Sequence, residues 1–157
     1  MTDTDTEKAL MILNEAILEG NTTGRYVCPT KEEWENSVIS ECRYVYEENG
    51  EMLGFIVLHP FSERPCYRGV GEISIYIDAK ARRKGIGKML LQKVIDESPK
   101  YGFWTLTSNI FEVNEASCKL HEVLGFRKVG TRERFLKTRH GAWMSTVIYE
   151  LRRPDNE

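Results

Sequence analysis

One segment constrains the fold more than any other: residues 72–77 (EISIYI), a short link, then residues 81–95 (ARRKGIGKMLLQKVI). In the first, Ile73, Ile75 and Ile77 alternate with Glu72, Ser74 and Tyr76, the period of a strand with two unlike faces. In the second, apolar residues recur at helical spacing and predict a helix over 84–97. The turn between them sets Gly85 and Gly87 one residue apart behind Arg82, Arg83 and Lys84. A helix N-terminus leaves backbone N–H groups without intrahelical partners and carries about half a positive charge. Glycines ahead of it let an anion approach without meeting a Cβ. The geometry suits a pyrophosphate, with Lys88 adding charge, although on this segment alone an ordinary basic strand-to-helix turn reads as well. The GxxxxGK[ST] loop is absent, and GxGxxG fails because Leu90 occupies the place of its third glycine.

Around this unit the pattern is mixed. Residues 7–18 place Leu10, Leu13, Ile17 and Leu18 on one helical face, with Thr6 as N-cap and Gly20 as stop. Thr30 followed by Glu33 is a capping-box pattern that opens a second helix, with Trp34, Val38 and Ile39 as its apolar face. The β-rich runs 43–47 and 52–58 flank Asn49-Gly50, a hairpin signal. Pro60 and Pro65 bracket a loop expected to lie outside regular structure. Residues 103–108 read as a strand, 115–124 as a helix closed by Gly125, and 126–133 and 143–151 as strands. There is no internal repeat and no linker long enough to separate domains, so 1–157 reads as one mixed α/β domain.

Composition narrows the function classes. A net charge of −2 offers no global field for nucleic acid, so any phosphate recognition has to be local. No apolar run approaches the roughly 20 residues of a membrane span, and the acidic start MTDTDTEKAL carries no visible targeting signal. Cys28, Cys42, Cys66 and Cys118 are irregularly spaced and form no CxxC pair, and the three histidines form no HExxH cluster. Reduced cytoplasmic thiols are expected, and no metal site.

Further along, Asn114, Ala116 and Ser117 open the helix that ends LHEVLGF (120–126), with Asn114 about 27 residues beyond Gly87. An RxxGxG turn, then N-x-A-S, then a helix closing in LGF together resemble the GNAT superfamily of acyl-CoA-dependent N-acetyltransferases. NEAI (14–17), NTT (21–23), HPFSERPCYR (59–68), GFWTLTSNIF (102–111) and KTRHGAW (137–143) are similar to its phosphinothricin-type branch. That branch acetylates phosphinothricin, methionine sulfoximine and arsinothricin, and the likeness runs over roughly residues 9–151. Three departures stand out. There is almost no room for a strand before the first helix, FSERP replaces the frequent FRPRP, and Ser145 stands where an aspartate is usual.

The resemblance implies a GNAT-like fold: a central twisted mixed sheet splayed between two parallel strands, with helices on both faces. It implies acetyl-CoA as co-substrate and no metal. The pantetheine arm is expected along Tyr76, Ile77 and Asp78. The diphosphate is expected on Arg82, Arg83, Lys84, Gly85, Ile86, Gly87 and Lys88, with Asn114 and Ser117 beside the pantetheine or thioester. Glu72 holds the branch's base position, where a carboxylate can take the proton that keeps an amine from attacking; a surface glutamate at a strand end is the other reading. His121 stands where many relatives have a tyrosine, and is either the acid for the departing thiolate or a structural residue. Arg64, Tyr67 and Lys137 are expected around the acceptor by family position. The leading reading is direct transfer, in a ternary complex, to a small amino-acid-like amine by a cytoplasmic homodimer without nucleic-acid or membrane partners. A polyamine or protein amine as acceptor, and a non-catalytic acyl-CoA sensor, are the alternatives.

Overall fold

The computed structural model describes residues 1–153, so the last four residues of the expected 1–157 domain lie outside the described residues. The chain runs α1 (Asp3–Glu19), α2 (Lys31–Ser37), β1 (Tyr44–Glu48), β2 (Glu51–Pro60), β3 (Val70–Ile77), α3 (Ile86–Glu97), β4 (Thr105–Phe111), α4 (Glu115–Val123), β5 (Arg127–Lys137) and β6 (Trp143–Arg152). Six strands form one sheet in the order β1-β2-β3-β4-β6-β5. No strand precedes α1 among the described residues, and the β1–β2 hairpin supplies that edge. It turns through Asn49 and Gly50 at φ 53° and 78°, the left-handed pair of a tight hairpin.

Every strand pair is antiparallel except β3–β4. That parallel pairing covers only Val70↔Thr105, Gly71↔Leu106 and Glu72↔Thr107, after which β3 runs on to Ile77 and β4 to Phe111 unpaired with each other. The splay implied by the family resemblance is therefore present. Its closed end is tied by the Trp104 N–H donating to the Gly69 carbonyl at 2.8 Å and the Arg153 N–H donating to the Trp104 carbonyl at 3.0 Å.

The two faces follow from the alternation. Phe55 and Val57 of β2 pack with Ala9, Ile12, Leu13 and Ile17 of α1 and Trp34 of α2. Ile56, Leu58 and Ile73 pack on the other face with Leu90, Leu91 and Val94 of α3. Helices thus cover both faces, each burying an apolar stripe. Gly54 allows the closest approach: a Cβ there would stand 2.8 Å from Ile77 and 3.3 Å from Ile86, the first residue of α3.

Several boundaries differ from the sequence reading. The N-cap of α1 is Thr2 in a capping box with Asp5, not Thr6, because the threonine–aspartate pair satisfies free N–H groups one turn earlier. Thr6 is buried inside the helix, and its hydroxyl donates to Glu35 at 2.6 Å. Leu18 is exposed, about 100° round from the buried Ile17. The proline-bracketed loop contains a 3₁₀ turn over Pro65–Tyr67. β4 starts two residues and ends three residues later than expected, its end extended because β6 pairs it as far as Phe111↔Thr146. β5 extends to Lys137 across a register break between Arg132 and Leu136, where Arg134 takes φ 46°. Such a bulge keeps an exposed edge strand in pairing while twisting it.

Candidate active site

The splay opens a cleft of about 870 Å³ that passes through the sheet. On the α3/α4 side its wall is Arg82, Arg83, Gly85, Gly87, Lys88, Asn114, Ala116, Ser117, Leu120, Ser108 and His121. On the α1 side it is Thr22, Thr23, Gly24 and Arg25 from the α1–α2 loop, with His59, Glu72, Ser74, Tyr76, Asn109, Phe111 and Thr146 from the sheet. The register explains the division. Glu72, Ser74 and Tyr76 stand opposite His59, Val57 and Phe55, on the face that packs against α1. Ser108 stands opposite Tyr149, against whose ring His121 of α4 lies.

The turn before α3 has the features of an anion cradle. Gly85 is the N-cap at φ 78°, with no side-chain cap and no acidic residue in the first turn. The first helical bond is Met89 N–H to the Gly85 carbonyl, so the N–H groups of Ile86, Gly87 and Lys88 have no partner within the helix. A Cβ on Gly85 would meet nothing within 4 Å, which leaves the approach open. Arg83 and Lys88 add exposed cations at the wall.

The other expected cofactor residues are placed differently. The Arg82 guanidinium donates to both oxygens of Glu19 at 3.0 and 2.9 Å, anchoring the turn to the end of α1. Ile86 is 2% exposed, so only its backbone faces the turn. Asp78 lies outside the cleft wall: its N–H donates to Leu53 and its carboxylate accepts from the Lys80 N–H. Lys84 is exposed beyond the wall. Tyr76 and Ile77 line the unpaired edge of β3, and the Asn114 side chain caps α4 by accepting from the Ser117 N–H at 3.4 Å.

His121 is buried, at 1% exposure. Its Nδ1 lies 2.8 Å from the Ser117 carbonyl, an acceptor only, so Nδ1 carries the proton. Burial pushes its proton affinity below the ordinary histidine value, the Ser117 contact offsetting this only in part. The neutral ring therefore presents a bare Nε2, which accepts from the Ser108 hydroxyl at 2.9 Å. Ser108 is itself buried and lines the cleft.

On the α1 side, Glu72 sits where β3 and β4 part, and its carboxylate has no hydrogen-bond or ion-pair partner among the described residues. His59, its cross-strand neighbour, has Nδ1 2.9 Å from the Ser37 carbonyl, and burial likewise lowers its proton affinity. The Thr22 and Thr146 hydroxyls are buried in the cleft wall without a hydrogen-bond partner among the described residues.

Arg64, Tyr67 and Lys137 do not line the cleft. Arg64 opens the exposed 3₁₀ turn, Tyr67 stacks edgewise on Phe61 with centroids 5.2 Å apart, and the Lys137 ammonium lies 5.7 Å from the Trp143 ring centre. The residues brought there instead are Thr22, Thr23, Arg25, His59 and Ser108; all but Arg25 fall inside the branch-like segments NTT, HPFSERPCYR and GFWTLTSNIF, yet nothing in the sequence marked any of them for a site role. Ser108 meets His121 only through the fold, and His59 meets Glu72 only once the β2–β3 register is known.

A mixed sheet parted between two parallel strands, with an uncapped helix N-terminus on one side and an acid at the fork, defines the class. The sequence profile of the acetyltransferase (GNAT) family matches residues 12–126, and the chain belongs to that family. Its relatives fall in the phosphinothricin-type branch, as the motifs implied. YwnH of Bacillus subtilis (strain 168) is 36% identical over 132 residues, 80% of this chain and 80% of that protein. The phosphinothricin N-acetyltransferase of Streptomyces coelicolor is 31% identical over 103 residues, 66% of this chain and 60% of that protein's length. A phosphinothricin acetyltransferase of Sinorhizobium meliloti, solved in complex with AcCoA, matches with a TM-score of 0.88 at 28% identity, covering 97% of this chain and 85% of that one.

Proposed function

We propose that this protein transfers an acetyl group from acetyl-CoA to the amine of a small amino-acid-like compound of the phosphinothricin or methionine sulfoximine type. The observation that carries the reading is the fork after Glu72↔Thr107, which puts a lone carboxylate between a phosphate-type cradle and a polar chamber. The N–H groups at the start of α3, with Arg83 and Lys88, would hold the diphosphate. The unpaired β3 edge at Tyr76 and Ile77 would pair with the pantetheine arm as an added strand does. Asn114 and Ser117 flank the thioester from the start of α4.

An acceptor amine arrives mostly protonated, and Glu72, directly or through water, takes its first proton. Attack on the thioester carbon then gives a tetrahedral intermediate with positive nitrogen and negative oxygen, and an unpaired β3 N–H stabilises that oxygen. Collapse breaks the C–S bond, nitrogen loses its second proton, and sulfur gains one. The resting His121 holds no proton at Nε2, so it is not a preloaded acid. It instead receives the nitrogen's proton through Ser108 and returns one to the thiolate by the same hydroxyl, which closes the proton balance. Transfer is direct, within a ternary complex and without an acetyl-enzyme. Four free cysteines suit a cytoplasmic setting. The exposed β5 edge, with Phe135 and Trp143 on its hairpin, suits pairing with a second copy.

A thiol-release assay with acetyl-CoA tests the reading against phosphinothricin, methionine sulfoximine, proteinogenic amino acids and polyamines. Turnover of the amino-acid analogues is expected, whereas turnover of polyamines alone would defeat the substrate assignment. Coenzyme A binding without turnover of any amine would favour a sensor. Glu72→Gln should lower kcat/KM by about 10²–10⁴, most strongly at low pH where the amine is most protonated; an unchanged pH profile removes Glu72 from the mechanism.

A further inference from the structure

The α1 side of the cleft carries two opposite charges that do not pair. Glu72 and Arg25 both line it, and no ion pair among the described residues includes either. Both are near His59, whose ring feels Arg25 as disfavouring and Glu72 as favouring its protonation. The other cations of the wall, Arg82, Arg83 and Lys88, belong to the α3 turn across the sheet. Arg25 is also held in place: its N–H donates to the Oγ1 of Thr23 at 3.2 Å, a local turn that fixes where the side chain leaves the loop. Thr23 is buried.

Leaving a guanidinium and a carboxylate half-buried in one chamber without a direct partner costs desolvation that the longer-range attraction of Arg25 to Glu33 offsets only in part. A zwitterionic α-amino acid supplies both missing partners, its ammonium to Glu72 and its carboxylate to Arg25, from neighbouring carbons. We propose that Arg25 is the carboxylate anchor of the acceptor, and that it selects α-amino acids over amines lacking a carboxylate. The fork geometry of guanidinium favours such a bidentate contact over a point charge. The inference rests on the acetyl-transfer reading of the cleft, and it adds an acceptor-binding residue in the α1–α2 loop to those expected by family position.

The test is calorimetric titration of the CoA-loaded protein with phosphinothricin and with its α-carboxamide, which differ only at the carboxyl group. The wild type should bind the acid about tenfold or more tighter than the amide, as expected for a hydrogen bond to a charged group. Arg25→Gln should bring the two affinities together, Arg25→Lys should restore part of the gap, and Arg64→Gln and Lys137→Gln should keep it. Retained CoA binding by Arg25→Gln shows that the variant is folded. A preserved acid-to-amide ratio in Arg25→Gln overturns the assignment, as does a wild type that prefers neither ligand. In that second case, thiol release with carboxylate-free amines leaves acetyl transfer standing while the Arg25 role falls. Absence of both binding and thiol release removes both.

Discussion

At Ser108 and His121 two buried side chains share one hydrogen bond, and its direction is fixed by a backbone carbonyl. Because Ser117 claims the Nδ1 proton, Ser108 has to donate, and its oxygen lone pairs are what the cleft meets. Ser108→Ala removes the described protein donor to Nε2, leaving a buried acceptor unsatisfied at a cost of about 1–3 kcal/mol. If the hydroxyl relays protons, kcat should fall by roughly 10²-fold, with the KM for acetyl-CoA little changed. Ser108→Thr, which keeps the hydroxyl, should recover part of that loss. A merely structural serine would lower the melting temperature and leave kcat of the folded fraction near wild type. The sequence left His121 as either an acid or a structural residue and could not orient its ring, because tautomer depends on a carbonyl four residues away and a strand serine thirteen residues away.

At the scale of elements, most features written locally were legible and those set by pairing were not; the exception is the Thr2–Asp5 capping box of α1, since Thr6, nearer the apolar run, offers the same cap chemistry. The Thr30–Glu33 capping box, the Asn49-Gly50 turn and the αL stop at Gly20 are where the sequence pattern puts them, since each depends on residues a few positions apart. The strand–turn–helix over 72–97 was legible for the same reason. The extension of β5, the bulge at Arg134 and the meeting of the α1–α2 loop with β3 depend on partners remote in sequence, so composition and period carry no mark of them. Gly54 is an example with a measurable consequence. It reads as an ordinary strand glycine, yet it seats the start of α3 against Tyr76 and Ile77. Gly54→Ala places a Cβ against the Tyr76 carbonyl at 3.2 Å and should cost about 1–3 kcal/mol by overpacking. It should also weaken coenzyme A binding, because the helix N-terminus has to shift. A stability loss with unchanged CoA affinity would separate the glycine's packing role from the cradle.

The whole molecule combines a core on each face of the sheet with an opening through it, and the groups at that opening make the fold sensitive to acid. His59 and His121 are both held below the ordinary histidine value by burial. Unfolded, each takes up a proton as the pH falls through about 6.5, while the folded chain resists until lower pH. Below that value the unfolded state binds more protons, so stability drops as the pH falls. Each histidine contributes up to about 1.4 kcal/mol per pH unit until its folded-state value is reached. Above about pH 7 neither contributes, because both states are neutral. Glu35 acts in a lower window: hydrogen bonds from Thr6 and Arg43 hold its carboxylate below the usual range. The stability it adds is lost only as the pH falls past about 4.5 toward its folded value. Urea midpoints measured between pH 7.5 and 5.5 should therefore fall on the histidines' account, and a His59→Gln, His121→Gln double variant should flatten that slope. Equal midpoints at both pH values in the wild type would show that the two rings are protonated without cost. The Ser108 relay would then have a neutral Nε2 only above about pH 6.5, where the free ring loses its proton.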